Sequence, residues 1–110
     1  MNIQIFGKSK CFDTKKAERW FKERRIRFQS IDLLRYGMSR GEFQSVQRAV
    51  GLEAMLNEKA PGAEVVQYLA YDADKAEKLM EDPSLLRTPI VRNGRQATVG
   101  YCPDMWKTWE

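Results

Sequence analysis

No histidine occurs in this 110-residue chain. Its absence removes histidine general acid–base catalysis, Ser-His-Asp triads and histidine-ligated metals together. The two cysteines, Cys11 and Cys102, are too few for an all-cysteine zinc site. An intracellular protein with two thiols normally keeps them reduced, so a disulfide between them would be functional rather than structural. No apolar run approaches the roughly 18 residues of a membrane span, and no signal-like apolar segment precedes the opening NIQIF. A cytoplasmic protein with no membrane partner is therefore expected. Repeats, low-complexity tracts and linkers are also missing, which predicts one domain over 1–110.

What is present suits an ordered globular domain: 43% hydrophobic and 31% charged residues argue against disorder. The charge is unevenly placed. Between Lys8 and Arg27 stand nine basic residues against Asp13, Glu18 and Glu23, a local excess larger than the whole chain's +4. Such a run reads either as a solvated helix face or as a positive field acting on a nearby thiol or an anionic partner. Interleaved aromatics are few there, with Trp20 and Phe21 expected in the core, so direct nucleic-acid binding is not expected.

Periodicity and punctuation predict the element order. IQIF reads as a short strand ending at Gly7. Ala17, Trp20 and Phe21 form one apolar stripe on a basic helix from Asp13 to about Arg24. IRFQSIDL reads as a second strand, followed by a loop around Gly37. SRGEF is a capping box, Ser39 with Glu42; it opens a helix whose inner face is Phe43, Val46 and Val50 and whose end is capped at Gly51. LEAMLNEK predicts a short helix running to Pro61-Gly62, and GAEVVQYLAY leans to helix. The next helix runs from Asp72 to Pro83, with Ala76, Leu79 and Met80 inward. Two β-like runs flank Asn93-Gly94, which predicts a hairpin with a type I′ turn. A last helix from Pro103 is expected to pack Met105, Trp106 and Trp109. The pattern is α/β with a helical insertion.

The segment FGKSKCFDT admits two chemistries. As a phosphate-binding loop, Gly7-Lys8-Ser9 would require a glycine at position 2, where the chain has Asn2. The loop would also need a complete strand before it, and there is no room for one. The second chemistry is a reactive thiol. Cys11 follows the first strand and stands at the start of the first helix, where aligned peptide dipoles and unpaired N–H groups favour the anion. Lys8, Lys10 and Lys15 act in the same direction, and Asp13 opposes them. Cysteines in such places fall to pKa values of about 3.5–7.5. Thr14 completes C-x-x-T, a monothiol pattern in which a hydroxyl can donate to sulfur. The competing reading of Cys11 is an inert, buried small hydrophobe.

With strand–loop–Cys–helix, KAERWFKERRIRF, a helical middle and EDPSLLRTPIVRNGRQATVGY, nearly the whole chain resembles the arsenate reductase (ArsC)/Spx family. The resemblance implies a thioredoxin-like (glutaredoxin-like) α/β fold with an inserted helical subdomain at approximately 38–82. It also implies a cis-proline beside the active cysteine, at Pro89. The arginines that hold the oxyanion in arsenate reductases are not matched. Thr88 stands directly before the proline, Arg87 comes one residue too early, Cys102 falls at the C-terminal-loop arginine, and Asn57 falls near the helical-subdomain one. Lys15 replaces the arginine after the cysteine as a point charge, without a bidentate fork. Arsenate reduction is accordingly disfavoured.

Two functions follow. In the first, the chain is a thiol oxidoreductase with Cys11 as nucleophile and Thr14 as donor to sulfur. Lys8, Lys10, Lys15 and Arg87 stabilise the anion, Thr88-Pro89 orients the substrate, and Cys102 or an external thiol such as glutathione resolves the intermediate. In the second, it is an Spx-like redox-responsive regulator that binds RNA polymerase or another protein, with Gly51 as the candidate contact and Thr14 in place of the second switch cysteine.

Overall fold

A computed structural model describes residues 1–109. The chain folds as β1 (Ile3–Gly7), α1 (Phe12–Glu23) and β2 (Phe28–Asp32), then helices α2 (Leu33–Tyr36), α3 (Arg40–Val50), α4 (Leu52–Met55), α5 (Ala63–Tyr68) and α6 (Asp72–Glu81). A 3-10 turn at Pro83–Leu85 leads into the hairpin β3 (Ile90–Asn93) and β4 (Gln96–Val99), and α7 (Pro103–Trp106) follows. The sheet order is β2-β1-β3-β4. β1 runs parallel to β2, with Ile3 opposite Phe28, and antiparallel to β3, with Phe6 opposite Ile90. This is the α/β architecture the resemblance implies.

Alternation along the central strands divides the core in two. Ile3, Ile5 and Val91 point to one face and pack with Ala17, Trp20 and Phe21 of α1 and with Trp106 and Trp109. Phe6 and Ile90 point to the other face and join Leu33, Phe43, Val46, Met55 and Leu79 from the helical segment. Both apolar faces of the sheet are therefore covered, and the thiol loop lies at the end of β1 between them.

Several local expectations hold. Ser39 Oγ accepts from Glu42 N at 3.1 Å while Glu42 Oε1 accepts from Ser39 N at 2.8 Å, and within GAEVVQYLAY the stretch Ala63–Tyr68 is helical. Others shift for identifiable reasons. The second strand starts at Phe28, and Leu33 leaves it because Asp32 Oδ1 accepts from Leu34 N and caps α2. The LEAMLNEK helix stops at Met55, since Leu56 bridges to Leu86. Arg87 N donates to Met55 O at 2.8 Å and Asn57 N to Leu85 O at 2.7 Å, so pairing with 85–87 replaces the next helical turn.

The hairpin turn also lies one residue later than expected. Asn93 pairs with Gln96, which makes Gly94-Arg95 the two-residue loop. Gly94 has φ +61° and Arg95 is not among the residues with positive φ, the II′ arrangement with glycine first rather than I′. Met105, expected inward, is exposed, while Trp106 and Trp109 are buried.

Candidate functional site

Cys11 is the N-cap residue of α1, with extended backbone (φ −91°, ψ 115°) and without a full side-chain capping bond to its helix. The loop before it is tight: Cys11 N donates to Lys8 O at 3.0 Å. Its half-exposed side chain points across the sheet end to the segment before β3, where Sγ lies 3.5 Å from Thr88 O. The Thr88–Pro89 peptide bond is cis, and Pro89 O accepts from Gly100 N at 2.8 Å, tying this corner to the end of β4.

Burial pushes the Cys11 thiol up. Hydrogen bonds from the side chains of Thr14 and Thr88 and from the Thr14 and Asp13 amides outweigh it, and the net position is below the ordinary thiol value. The first-turn amides that should be orphaned at a helix start are thus directed at sulfur. In the neutral form the S–H donates to Thr88 O; the Thr14, Thr88 and Asp13 donors favour the anion. Thr14 is itself buried, and its Oγ1 accepts from Lys8 N at 3.4 Å. Gly7 makes this possible: a Cβ there would stand 2.2 Å from Thr14 Cγ2.

Lys8 has a use beyond its charge. Its Nζ donates to Leu86 O at 2.7 Å and Ser84 O at 3.2 Å, pinning the strand-like approach to Thr88 against the thiol loop. Burial lowers the Lys8 pKa, while attraction to Cys11 and Asp82 pulls it back up. Lys10 and Lys15 are exposed. In the folded chain, hydrogen-bond donors from Thr14, Thr88 and the Asp13 amide favour the Cys11 anion, and Lys8 and Cys11 attract one another.

Arg87 is also exposed, and it lies on the other side of Thr88. Its guanidinium reaches Gly100, 3.7 Å from where a Cβ would be, and its charge acts on Cys102. With Asn57, Lys59, Glu53, Leu56 and Glu58 it lines a cleft of about 430 Å³. Cys102 caps α7, donates from Sγ to Val99 O at 3.3 Å and packs against the tryptophan-rich core. Burial pushes its thiol up; Thr98 and Arg87 oppose that and Asp13 adds to it, with a net raised value. Cys11 and Cys102 are both free thiols.

The fold therefore brings Cys11, Thr14, Lys8, Thr88 and Pro89 together and sets Arg87 with Cys102 on the flank. Missing from the sequence reading is Phe12, next to the thiol and 82% exposed. Its helical phase carried the signal, because Thr14, Ala17 and Phe21 share the inward face and position 12 falls outside it. Among the described residues no three His, Cys, Asp or Glu side chains gather as a metal site requires, and no helix is long and apolar enough to cross a membrane.

Comparison with known proteins bears on the family and the fold. The profile of the ArsC family matches residues 6–109. The chain is 28% identical over 112 residues to the global transcriptional regulator Spx 2 of Oceanobacillus iheyensis, covering 94% of this chain and 80% of that one. It superimposes on an arsenate reductase from Vibrio cholerae with TM-score 0.83 at 22% identity, covering 96% and 94% of the two chains. The glutaredoxin-like NrdH-redoxin of Escherichia coli matches with TM-score 0.53 at 17% identity, over 100% and 96%. The fold is thioredoxin-like.

Proposed function

The chain belongs to the ArsC family, and from that premise we propose that it is a thiol-based oxidoreductase with Cys11 as its single nucleophile. The observation that carries this reading is the half-exposed sulfur at the start of a 12-residue helix, facing Thr88 with donors from Thr14 aimed at it. Cys11 thiolate attacks one sulfur of a disulfide. A Cys11–substrate S–S bond forms, the substrate S–S bond breaks, and the leaving thiolate takes a proton from water. A second thiolate then attacks the mixed disulfide and returns Cys11 as an anion. Burial holds Cys102 protonated and its sulfur is engaged with Val99 O, which favours an external thiol such as glutathione for this step.

Thr88 and Pro89 form the wall against which the substrate lies, and Lys8 keeps that wall in place through Ser84 O and Leu86 O. Arsenate remains disfavoured. Thr88 supplies no guanidinium, and Arg87 is turned toward Gly100 and Cys102. The test is turnover of a small disulfide with a thiol donor. It is expected to persist in C102S and vanish in C11S; equal rates in wild type and C11S would end the proposal.

A second reading, an Spx-like regulator, is favoured by the name of the curated relative. Gly51 suits it as a contact: nothing lies within 4 Å of a Cβ placed there, and it borders a groove of about 680 Å³ with Gln47 and Glu53. Retention of this chain by purified RNA polymerase, lost in Gly51→Arg, together with no disulfide turnover, would favour the regulator.

A further inference from the structure

Beside the thiol, Phe12, the first residue of α1, is 82% exposed; one bare ring is ordinary on a protein surface, and this one matters for what stands next to it. Lys16 lies one helical turn on, on the same face, with its Nζ 5.0 Å from the Tyr101 ring centroid. Tyr101 is 38% exposed and stands edge-on against Trp106, centroids 5.5 Å apart. Trp106 is buried and donates from Nε1 to Thr98 Oγ1 at 2.8 Å, so the tyrosine rests on a fixed base. Phe12, the Lys16 stem and Tyr101 make an aromatic surface that begins at the residue after the nucleophile.

The charges around it have one dominant sign. Lys10, Lys15, Lys16 and Arg19 are exposed. Two acids also belong to this side: Asp13, half-buried, whose charge acts on the Cys102 thiol, and Asp104, fully exposed with Lys107 at 3.9 Å, so the basic residues outnumber the acids without excluding them. A molecule that covered only the sulfur would leave both the ring and this positive field unused.

We infer that the disulfide Cys11 attacks belongs to another protein, in an acidic segment whose cysteine has an apolar neighbour that packs on Phe12 and Tyr101. The inference rests on the thiol reading above and names its substrate class. Charge complementarity selects the acidic residues and steers encounter; the exposed ring selects the apolar neighbour. In the exchange, the partner's S–S bond breaks as the Cys11–partner bond forms, and the partner's other sulfur leaves as thiolate. A low-molecular-weight thiol then supplies the electrons that free Cys11.

The experiment follows single-turnover exchange of the reduced full chain with three probes: 2-hydroxyethyl disulfide, a peptide disulfide with Glu and Leu flanking its cysteine, and the same peptide with Lys in place of Glu. The acidic peptide is expected to react about tenfold faster than the lysine peptide at low salt, a ratio that shrinks as ionic strength rises. In F12S the acidic-peptide rate is expected to fall about fivefold relative to the hydroxyethyl disulfide rate. Equal rates for the two peptides, or a uniform slowing of all three probes in F12S, overturn the inference and leave the thiol chemistry standing. No reaction of any probe at Cys11 overturns both.

Discussion

Cys11 and Cys102 are comparable at first sight: each caps a helix, each is half-buried, and each has a sulfur near a backbone carbonyl. Burial raises both thiols, yet the net shifts have opposite signs. What differs is the company of donors. α1 is 12 residues long and directs the Asp13 and Thr14 amides and the Thr14 hydroxyl at sulfur. α7 has four residues, and Cys102 sulfur rests on the aromatic core with Thr98 as its one hydrogen-bond donor among the causes of its shift. A position before a helix does not by itself make a reactive thiol; donors that outweigh desolvation do.

The comparison breaks most sharply at the nucleophile. Cys11→Ser is expected to lower the alkylation of native protein at neutral pH by two orders of magnitude or more, while Cys102→Ser changes it by less than about twofold, read by mass-resolved iodoacetamide kinetics. If C102S removes the fast phase instead, the two thiols have been assigned the wrong way round.

Thr14→Val, nearly isosteric, removes the hydroxyl from sulfur and from Lys8 N. A lost hydrogen bond to a charged group is worth about 1.5–3 kcal/mol. The alkylation midpoint of Cys11 should therefore rise by about one pH unit. An unmoved midpoint would leave the helix amides and Thr88 as sufficient donors. Gly7→Ala approaches the same spot from the strand side, where its Cβ meets Thr14 Cγ2. It should cost about 1–3 kcal/mol of stability in urea unfolding.

The smallest effect concerns stability against pH. Cys11, an acid with a lowered pKa in the folded chain, contributes stability above the ordinary thiol pKa that is lost as pH falls through the lowered value. Cys102 has a raised pKa, so its contribution is lost as pH climbs from the ordinary thiol value through the raised one. Unfolding between neutral and alkaline pH should consequently show C11S losing stability relative to wild type at the alkaline end and C102S gaining it. Parallel curves for both variants would mean that the two environments are alike after all.

Much of this is legible in the sequence. The Ser39–Glu42 box, the α1 stripe of Ala17, Trp20 and Phe21, and the placement of Cys11 at a strand-to-helix junction depend on residues a few positions apart. Lys8 shows where such reading falls short. Its charge was visible, but its bonds to Ser84 O and Leu86 O span more than seventy residues, and no local pattern announces them. The hairpin was foreseen and its turn type was not, because the pairing of Asn93 with Gln96 moves the loop to Gly94-Arg95.

The order of most strands and helices, and which cysteine precedes a long helix, are readable from the sequence, since capping, helical phase and turn chemistry act between near neighbours; α2, expected as a strand end and loop, is not. The folded chain adds what no local pattern carries: Thr88 faces Cys11 across a separation of 77 residues, Leu56 abandons its helix for Leu86, and Phe12 is left bare beside the thiol. Those outcomes depend on which distant groups the closed sheet brings within hydrogen-bonding or packing range, and on which side chains are left uncovered once both of its faces are full.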